Sequence, residues 1–174
     1  MANICWFELR IRGSKKNCYD MLTTDIETNC YEFDVMEERG TDDDYMMYIS
    51  GECRWSVTDS LINVKEGQDT LADTAKKFQL ELEICSIDES QEVQEHFHYK
   101  GSEMIKANNL PFAISFYTIE DGEFEISEED LSKYNKREDM GYYVLKEEFQ
   151  EKISFDEDTG EIEFDFSMSF DDLD

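Results

Sequence analysis

The chain holds one proline, Pro111, in 174 residues, so no proline-rich linker or polyproline segment divides it. Basic residues are scarce. Sixteen Lys and Arg stand against 44 Asp and Glu, a formal net charge of −28. Sequence-independent binding to phosphate needs a positive field, so direct contact with nucleic acid or an anionic membrane is not expected. No apolar run approaches the roughly 18 residues of a membrane span. The N-terminus reads straight into a strand rather than a basic-then-apolar leader. The five cysteines, Cys5, Cys18, Cys30, Cys53 and Cys85, are odd in number, widely spaced and without a Cys-x-x-Cys pair. That excludes a disulfide framework and predicts reduced thiols in a cytoplasmic protein.

Forty per cent apolar and 13% aromatic residues supply what a core needs and argue against wholesale disorder. The pattern is clearest over residues 45–57. Tyr45, Met47, Ile49, Cys53, Trp55 and Val57 occupy the odd positions, and the even ones turn polar through Ser50, Glu52, Arg54 and Ser56. Side chains alternate across a strand, so this segment predicts a long half-buried strand with its odd face inward. Gly51 interrupts that face and predicts a bulge or a close backbone approach.

The rest of the first 109 residues falls into line around it. Cys5, Phe7, Leu9 and Ile11 predict a first strand, and Ser14 caps a helix to about Thr24 that buries Cys18, Met21 and Leu22. Tyr31, Phe33 and Val35 predict a second strand, joined by the polar turn 40–44 to the 45–57 strand. Residues 58–69 read as a loop. Leu71, Ala75 and Phe78 recur at helical spacing, and Leu80, Leu82 and Ile84 alternate with Glu81 and Glu83 as a fourth strand. Residues 94–100 add a fifth. The order strand, helix, strand, strand, helix, strand predicts an α+β fold of the ferredoxin-like, split βαβ type, with two helices on one face of an antiparallel sheet.

The opening Met1-Ala2-Asn3-Ile4-Cys5, the Gly13 after the first strand, the block Ser50-Gly51-Glu52-Cys53-Arg54-Trp55-Ser56-Val57 and the later Glu95-His96-Phe97 carry a resemblance. Over residues 1–105 the chain resembles the YubB-type ferredoxin-like proteins of phages, plasmids and other mobile elements. The resemblance implies the ferredoxin-like fold and a bacterial host's cytoplasm, and brings no activity, catalytic residue or cofactor. The chain departs from the usual pattern at Ser86-Ile87-Asp88-Glu89-Ser90, where a more acidic turn with glycine is expected.

Residues 110–174 read as an acidic, strand-rich extension packed on the 1–109 core. They hold 21 acidic and 5 basic residues. Phe112, Ile114 and Phe116 predict a strand, Asp121-Gly122 a hairpin turn, and Phe124 and Ile126 a return strand that carries Glu123 and Glu125 on its wet side. Ser127-Glu128-Glu129-Asp130 resembles a capping box for a helix to about Lys136. Residues 142–149 fit strand or helix. Ile153 and Phe155, the turn Asp158-Thr159-Gly160, and Ile162, Phe164 and Phe166 predict a final hairpin.

Three features invite a chemical reading. The first is the acidic rows, Glu161, Glu163 and Asp165 on one strand, Glu123 and Glu125 on another, Glu81 and Glu83 on a third. Alternate strand residues lie roughly 6.6–6.8 Å apart, comparable with phosphates that rise about 3.4 Å axially per nucleotide. Such rows imitate a nucleic-acid backbone, although any half-solvated strand is written with the same alternation. The second is His96-x-His98, which puts two imidazoles on one strand face with no further ligand at a recognised spacing, so no metal is predicted. Asp156-Glu157-Asp158-Thr159-Gly160 also fails as a calcium loop, since glycine stands where an oxygen ligand is needed. The third is a face carrying Trp6, Arg10, Arg12, Tyr48 and Arg54, an aromatic and basic platform of the kind that stacks RNA bases. Cys53 and Cys85 read as buried and inert rather than nucleophilic.

The expectation is therefore a non-enzymatic, cofactor-free acidic inhibitor that enters the basic nucleic-acid channel of a host defence nuclease, such as a CRISPR effector or restriction enzyme. Glu123, Glu125, Glu161, Glu163 and Asp165 would make the contacts, with Asp156, Glu157 and Asp158 at the rim. The alternative is a small RNA- or ligand-binding module that uses the Trp6, Arg10, Arg12, Tyr48 and Arg54 face.

Overall fold

A computed structural model describes residues 3–62, 65–89, 94–108, 110–150, 153–155 and 162–164. The fold is α+β and its sheets are antiparallel. Strand β1 (Ile4–Gly13) follows the predicted alternation, with Cys5, Phe7, Leu9 and Ile11 all buried. The Ser14 hydroxyl then accepts from the Asn17 amide at 3.3 Å and starts helix α1 (Lys15–Met21). The helical run goes further than the sequence pattern predicts. It continues as a π turn, Leu22–Ile26, and closes with α2 (Glu27–Asn29).

Strands β2 (Cys30–Gly40) and β3 (Tyr45–Arg54) form the expected hairpin. Helix α3 (Leu71–Phe78) is opened by a capping box in which Thr70 and Asp73 serve each other's backbone amides, and is closed by Gln79 in the left-handed conformation. Strands β4 (Glu81–Asp88), β5 (Gln94–Lys100) and an unpredicted β6 (Glu103–Asn108) complete a six-stranded sheet, order β2-β3-β1-β4-β5-β6. Cys18 and Met21 of α1 and Leu71 and Ala75 of α3 join the apolar sides of β1, β3, β4 and β5 in one buried cluster, so both helices cover the same face. Truncating a fully buried aromatic in that cluster, such as Phe7, costs about 3–5 kcal/mol.

Gly51 is required by close approach. A Cβ there would stand 2.6 Å from Phe7 Cζ and 2.8 Å from the Glu32 carbonyl oxygen. The strand around it is shorter than expected. It stops at Arg54, because Trp55 adopts a positive φ of 65° and turns its ring out to 45% exposure. Val57 is buried, but as the entry to a π turn (Thr58–Ile62) where a loop was predicted. The Glu95 carboxylate caps that turn, accepting from the Val57 amide at 2.7 Å and the Thr58 amide at 3.1 Å.

Beyond Asn108 the elements are short. Strand β7 (Ala113–Ser115) passes at once into helix α4 (Phe116–Glu120), which Asp121 and the positive-φ Gly122 terminate. The predicted Asp121-Gly122 hairpin is thus a helix end. Helix α5 (Glu128–Leu131) is capped by Ser127 as expected but lasts four residues, after which Tyr134–Arg137 forms β8. Strand β9 (Tyr142–Leu145) and a 3-10 turn (Glu147–Phe149) resolve the ambiguous stretch as both. These strands make a second sheet, β7-β9-β8, over a small cluster of Ile114, Tyr134 and Leu145. Strands β10 (Ile153–Phe155) and β11 (Ile162–Phe164) pair in the last predicted hairpin.

Candidate functional site

The face of the six-stranded sheet away from α1 and α3 carries the polar side chains. Register fixes who meets whom. Arg10 lies opposite Tyr48 on β3 and Glu83 on β4, Arg12 opposite Glu81, Glu8 opposite Cys85, and Trp6 opposite Glu52. Trp6, Arg10, Arg12 and Tyr48 therefore do share the open face, as the sequence predicts. Arg54 is at its end, exposed, with its guanidinium 5.6 Å from the centre of the outward-turned Trp55 ring.

The platform is not basic, however. Arg10 forms an ion pair with Glu83, and the other oxygen of that carboxylate accepts from His96 Nε2 at 2.9 Å. Arg12 holds Asp44 with two hydrogen bonds of 2.8 and 3.0 Å. His98 Nε2 meets Glu81 Oε1 at 2.9 Å, and the Trp6 indole donates to Glu52 Oε1 at 3.1 Å. The Tyr48 phenol hydrogen-bonds Glu8. Burial alone would raise the Glu83 carboxyl, but His96 and Arg10 outweigh it and hold it at about 2. Burial pushes Glu8 up, against the Tyr48 hydrogen bond.

Glu81 and Glu83 consequently do not form a solvated acidic row. Strand β4 lies between β1 and β5, whose side chains on the same face are Arg10, His96 and His98, and these consume both carboxylates. Glu123 and Glu125 are exposed but stand in the loop after α4, not on a strand, so strand geometry sets no spacing between them. Glu163 lies in β11 opposite Ser154. Asp156, Glu157, Asp158, Glu161 and Asp165 fall outside the described residues, as does the 156–160 turn.

A further acidic row lies on the edge strand, outside the rows that the sequence analysis assigns to a partner. On β2, Glu32 lies opposite Glu52 and Asp34 opposite Ser50. A register shift between Val35 and Glu37 then lets one residue bulge out, and Glu37 falls opposite Tyr48. The bulge keeps Glu32, Asp34 and Glu37 on the polar side of an edge strand, all three exposed. Among the described residues none of them enters an ion pair. The signal was present as the alternation Tyr31-Glu32-Phe33-Asp34-Val35, but strict alternation carried past Val35 would have turned Glu37 to the other face.

The cysteines and histidines singled out by the sequence are held in contacts within the fold. Cys53 is fully buried and hydrogen-bonds the Cys5 thiol, which that bond and burial push far upward. Cys85 is 1% exposed. Both histidines turn a ring nitrogen to a glutamate, and no group of three or more potential metal ligands occurs among the described residues. Among the described residues no helix is long and apolar enough to cross a membrane. No protein-family model matches the chain, and neither a curated protein nor a solved structure matches it.

Proposed function

We propose that the protein is a non-enzymatic acidic inhibitor that occupies the basic nucleic-acid channel of a host defence nuclease, of the anti-CRISPR or anti-restriction type, in the bacterial cytoplasm. The observation that carries this reading is the asymmetry of pairing on the large sheet. Arg10 and Arg12 of its central strand are paired with Glu83 and Asp44, while the β2 carboxylates face solvent. With a net charge of −28, the molecule presents a field that a basic groove attracts and free nucleic acid avoids. Contacts are assigned to Glu32, Asp34 and Glu37 on the rigid edge strand, to Glu123 and Glu125, and to the acidic segment Asp156, Glu157, Asp158, Glu161, Glu163 and Asp165. The strand order β2-β3-β1-β4 with two crossover helices fits a ferredoxin-like core extended by β5 and β6. Membership of the YubB-type, mobile-element group is proposed on the sequence resemblance over residues 1–105 alone.

The test is DNA cleavage by a purified CRISPR effector, with the protein added before or after guide loading. Inhibition that falls as salt rises is the expected result. Inhibition that salt leaves untouched, or none across several effectors and restriction enzymes, overturns the proposal.

A further inference from the structure

Away from the sheet's polar face, a cleft of about 240 Å³ opens between the end of the first helical run and α3. Thr24, Asp25, Thr28 and Asn29 form one wall, Gly67, Gln68 and Asp69 the mouth, and Thr74 of α3 the other wall. Asp25 is 2% exposed. Its Oδ1 accepts from the Asn29 side-chain amide at 2.8 Å, while Oδ2 is buried and has no hydrogen-bond partner among the described residues. A buried carboxylate oxygen left unsatisfied is costly, and a fold that keeps one needs a reason.

The neighbours show what would satisfy it. The Asn29 amide nitrogen is committed twice, to Asp25 Oδ1 and to the Asp25 carbonyl at 2.9 Å. The Thr74 hydroxyl donates to the Thr70 carbonyl at 2.9 Å, and burial raises the Asp25 carboxyl against the opposing pull of Asn29 and then Thr74. The Thr24 hydroxyl donates to the Asp20 carbonyl at 2.5 Å. Their protons spent, these groups offer the cleft only oxygen lone pairs. Asp69 adds a second carboxylate at the rim, where it is paired at 3.1 Å with Lys77, and no basic residue lines the cleft. An anion would meet two carboxylates.

We propose that this cleft binds a primary alkylammonium group, with Asp25 Oδ2 taking one N–H and the Asn29 and threonine oxygens taking the others. An ammonium head is compact and carries three donors and no acceptor, and so complements an unpaired buried carboxylate oxygen with a second carboxylate at the rim. The group is that of a free diamine or of a lysine side chain on a partner. The inference stands apart from the nuclease-channel reading, since the cleft is built from the first helical run, the 67–69 loop and α3, which take no part in the acidic rows.

The test is an NMR titration of the isotopically labelled full chain with n-butylammonium at neutral pH and fixed salt. Tetramethylammonium, equal in charge but without N–H donors, serves as the comparator. Saturable shifts at Asp25, Asn29, Gln68 and Thr74 that tetramethylammonium fails to produce are expected. D25N should weaken butylammonium binding at least about tenfold, the loss expected when a charged hydrogen-bond partner is removed. Equal responses to the two cations, or undiminished binding by folded D25N, overturn the proposal. If D25N does not fold, the comparison of the two cations on the native chain decides alone. Putrescine and a lysine-containing peptide then separate the sources, with the Nε-acetylated peptide expected to lose binding. Failure of both, like failure of butylammonium, overturns the site.

Discussion

Two carboxylate rows in the same sheet are written alike in sequence and have opposite fates. Glu81 and Glu83 on β4, and Glu32 and Asp34 on β2, each alternate with apolar residues. Strand β4 is internal, with β1 on one side and β5 on the other, so its carboxylates meet Arg10, His96 and His98 and spend their charge inside the protein. Strand β2 is an edge. Its one ladder partner among the described residues, β3, presents Glu52, Ser50 and Tyr48 to it, and its carboxylates keep their charge for solvent or a partner. Whether an acidic row belongs to the fold or to the surface is decided by sheet position, not by the row's own sequence.

The largest test of that contrast is Glu83→Gln. Arg10 and His96 would lose the carboxylate between them on a face where each side chain is only 14% and 11% exposed. Removing one member of a buried pair costs about 3 kcal/mol, the lower end of the usual range because the face is not sealed. Urea unfolding should show that loss, and a change below about 0.5 kcal/mol, the size of an ordinary surface effect, would place Glu83 with the solvated row.

Acid titration sharpens the same contrast and adds a group of opposite sign. Glu83 has a folded pKa of about 2 against an ordinary 4.5. Its stabilisation is therefore complete above the ordinary value and lost as pH falls from there toward 2, up to about 3 kcal/mol in all. Asp25 runs the other way. Burial lifts it to about 6 from 3.8, so the penalty for ionising it is present above about 6 and is relieved as pH falls toward 3.8. D25N should then be more stable than the native chain at neutral pH, by about 1–3 kcal/mol. The gap in Tm should close as the pH drops below 6. A gap that stays constant through that range would mean Asp25 is not the group being relieved.

Much of the large sheet was legible because its strands are long. Ten alternating residues in β1 and the odd face of β3 specify their inward sides many times over, and the core cluster follows from them. The 113–149 region was misread for the converse reason. Its strands run three or four residues and its buried centre is three side chains, so a fragment such as Phe112, Ile114 and Phe116 looks the same whether the chain continues as strand or turns into α4. Trp55 was misplaced because alternation cannot register a positive φ. At the candidate site, sequence placed Trp6, Arg10, Arg12 and Tyr48 on one face, but their neutralisation depends on β4 and β5 being their neighbours, which is a property of topology. The Asp25 cleft was invisible for the same reason, since its walls are more than 40 residues apart in the chain.

The α3 cap offers a smaller and more local test. Thr70 Oγ1 accepts from the Asp73 amide at 3.1 Å, and Asp73 Oδ2 accepts from the Thr70 amide at the same distance. Thr70→Ala should cost about 1 kcal/mol. Helix α3 also forms one wall of the Asp25 cleft, so hydrogen exchange in its first turn should quicken and butylammonium affinity should fall with it. Faster exchange confined to β2 or β3 would mean the cap stabilises something other than the helix.

The smallest stability effect belongs to the edge row, and its size separates surface from fold most cleanly. Replacing Glu32, Asp34 and Glu37 together with glutamine removes three charges from a molecule at −28 and breaks no ion pair among the described residues. Surface substitutions of this kind stay within about 0.5 kcal/mol each, and relief of self-repulsion acts in the stabilising direction. Thermal unfolding should therefore move little or slightly upward. Association with a basic partner should slow and lose part of its salt dependence, because exposed charge sets encounter rates more than it sets the fold. The same three substitutions made to lysine should deepen the binding loss while leaving the folded state intact. If the glutamine variant unfolds like Glu83→Gln, the edge carboxylates are structural after all, and β2 is no freer to meet a partner than β4.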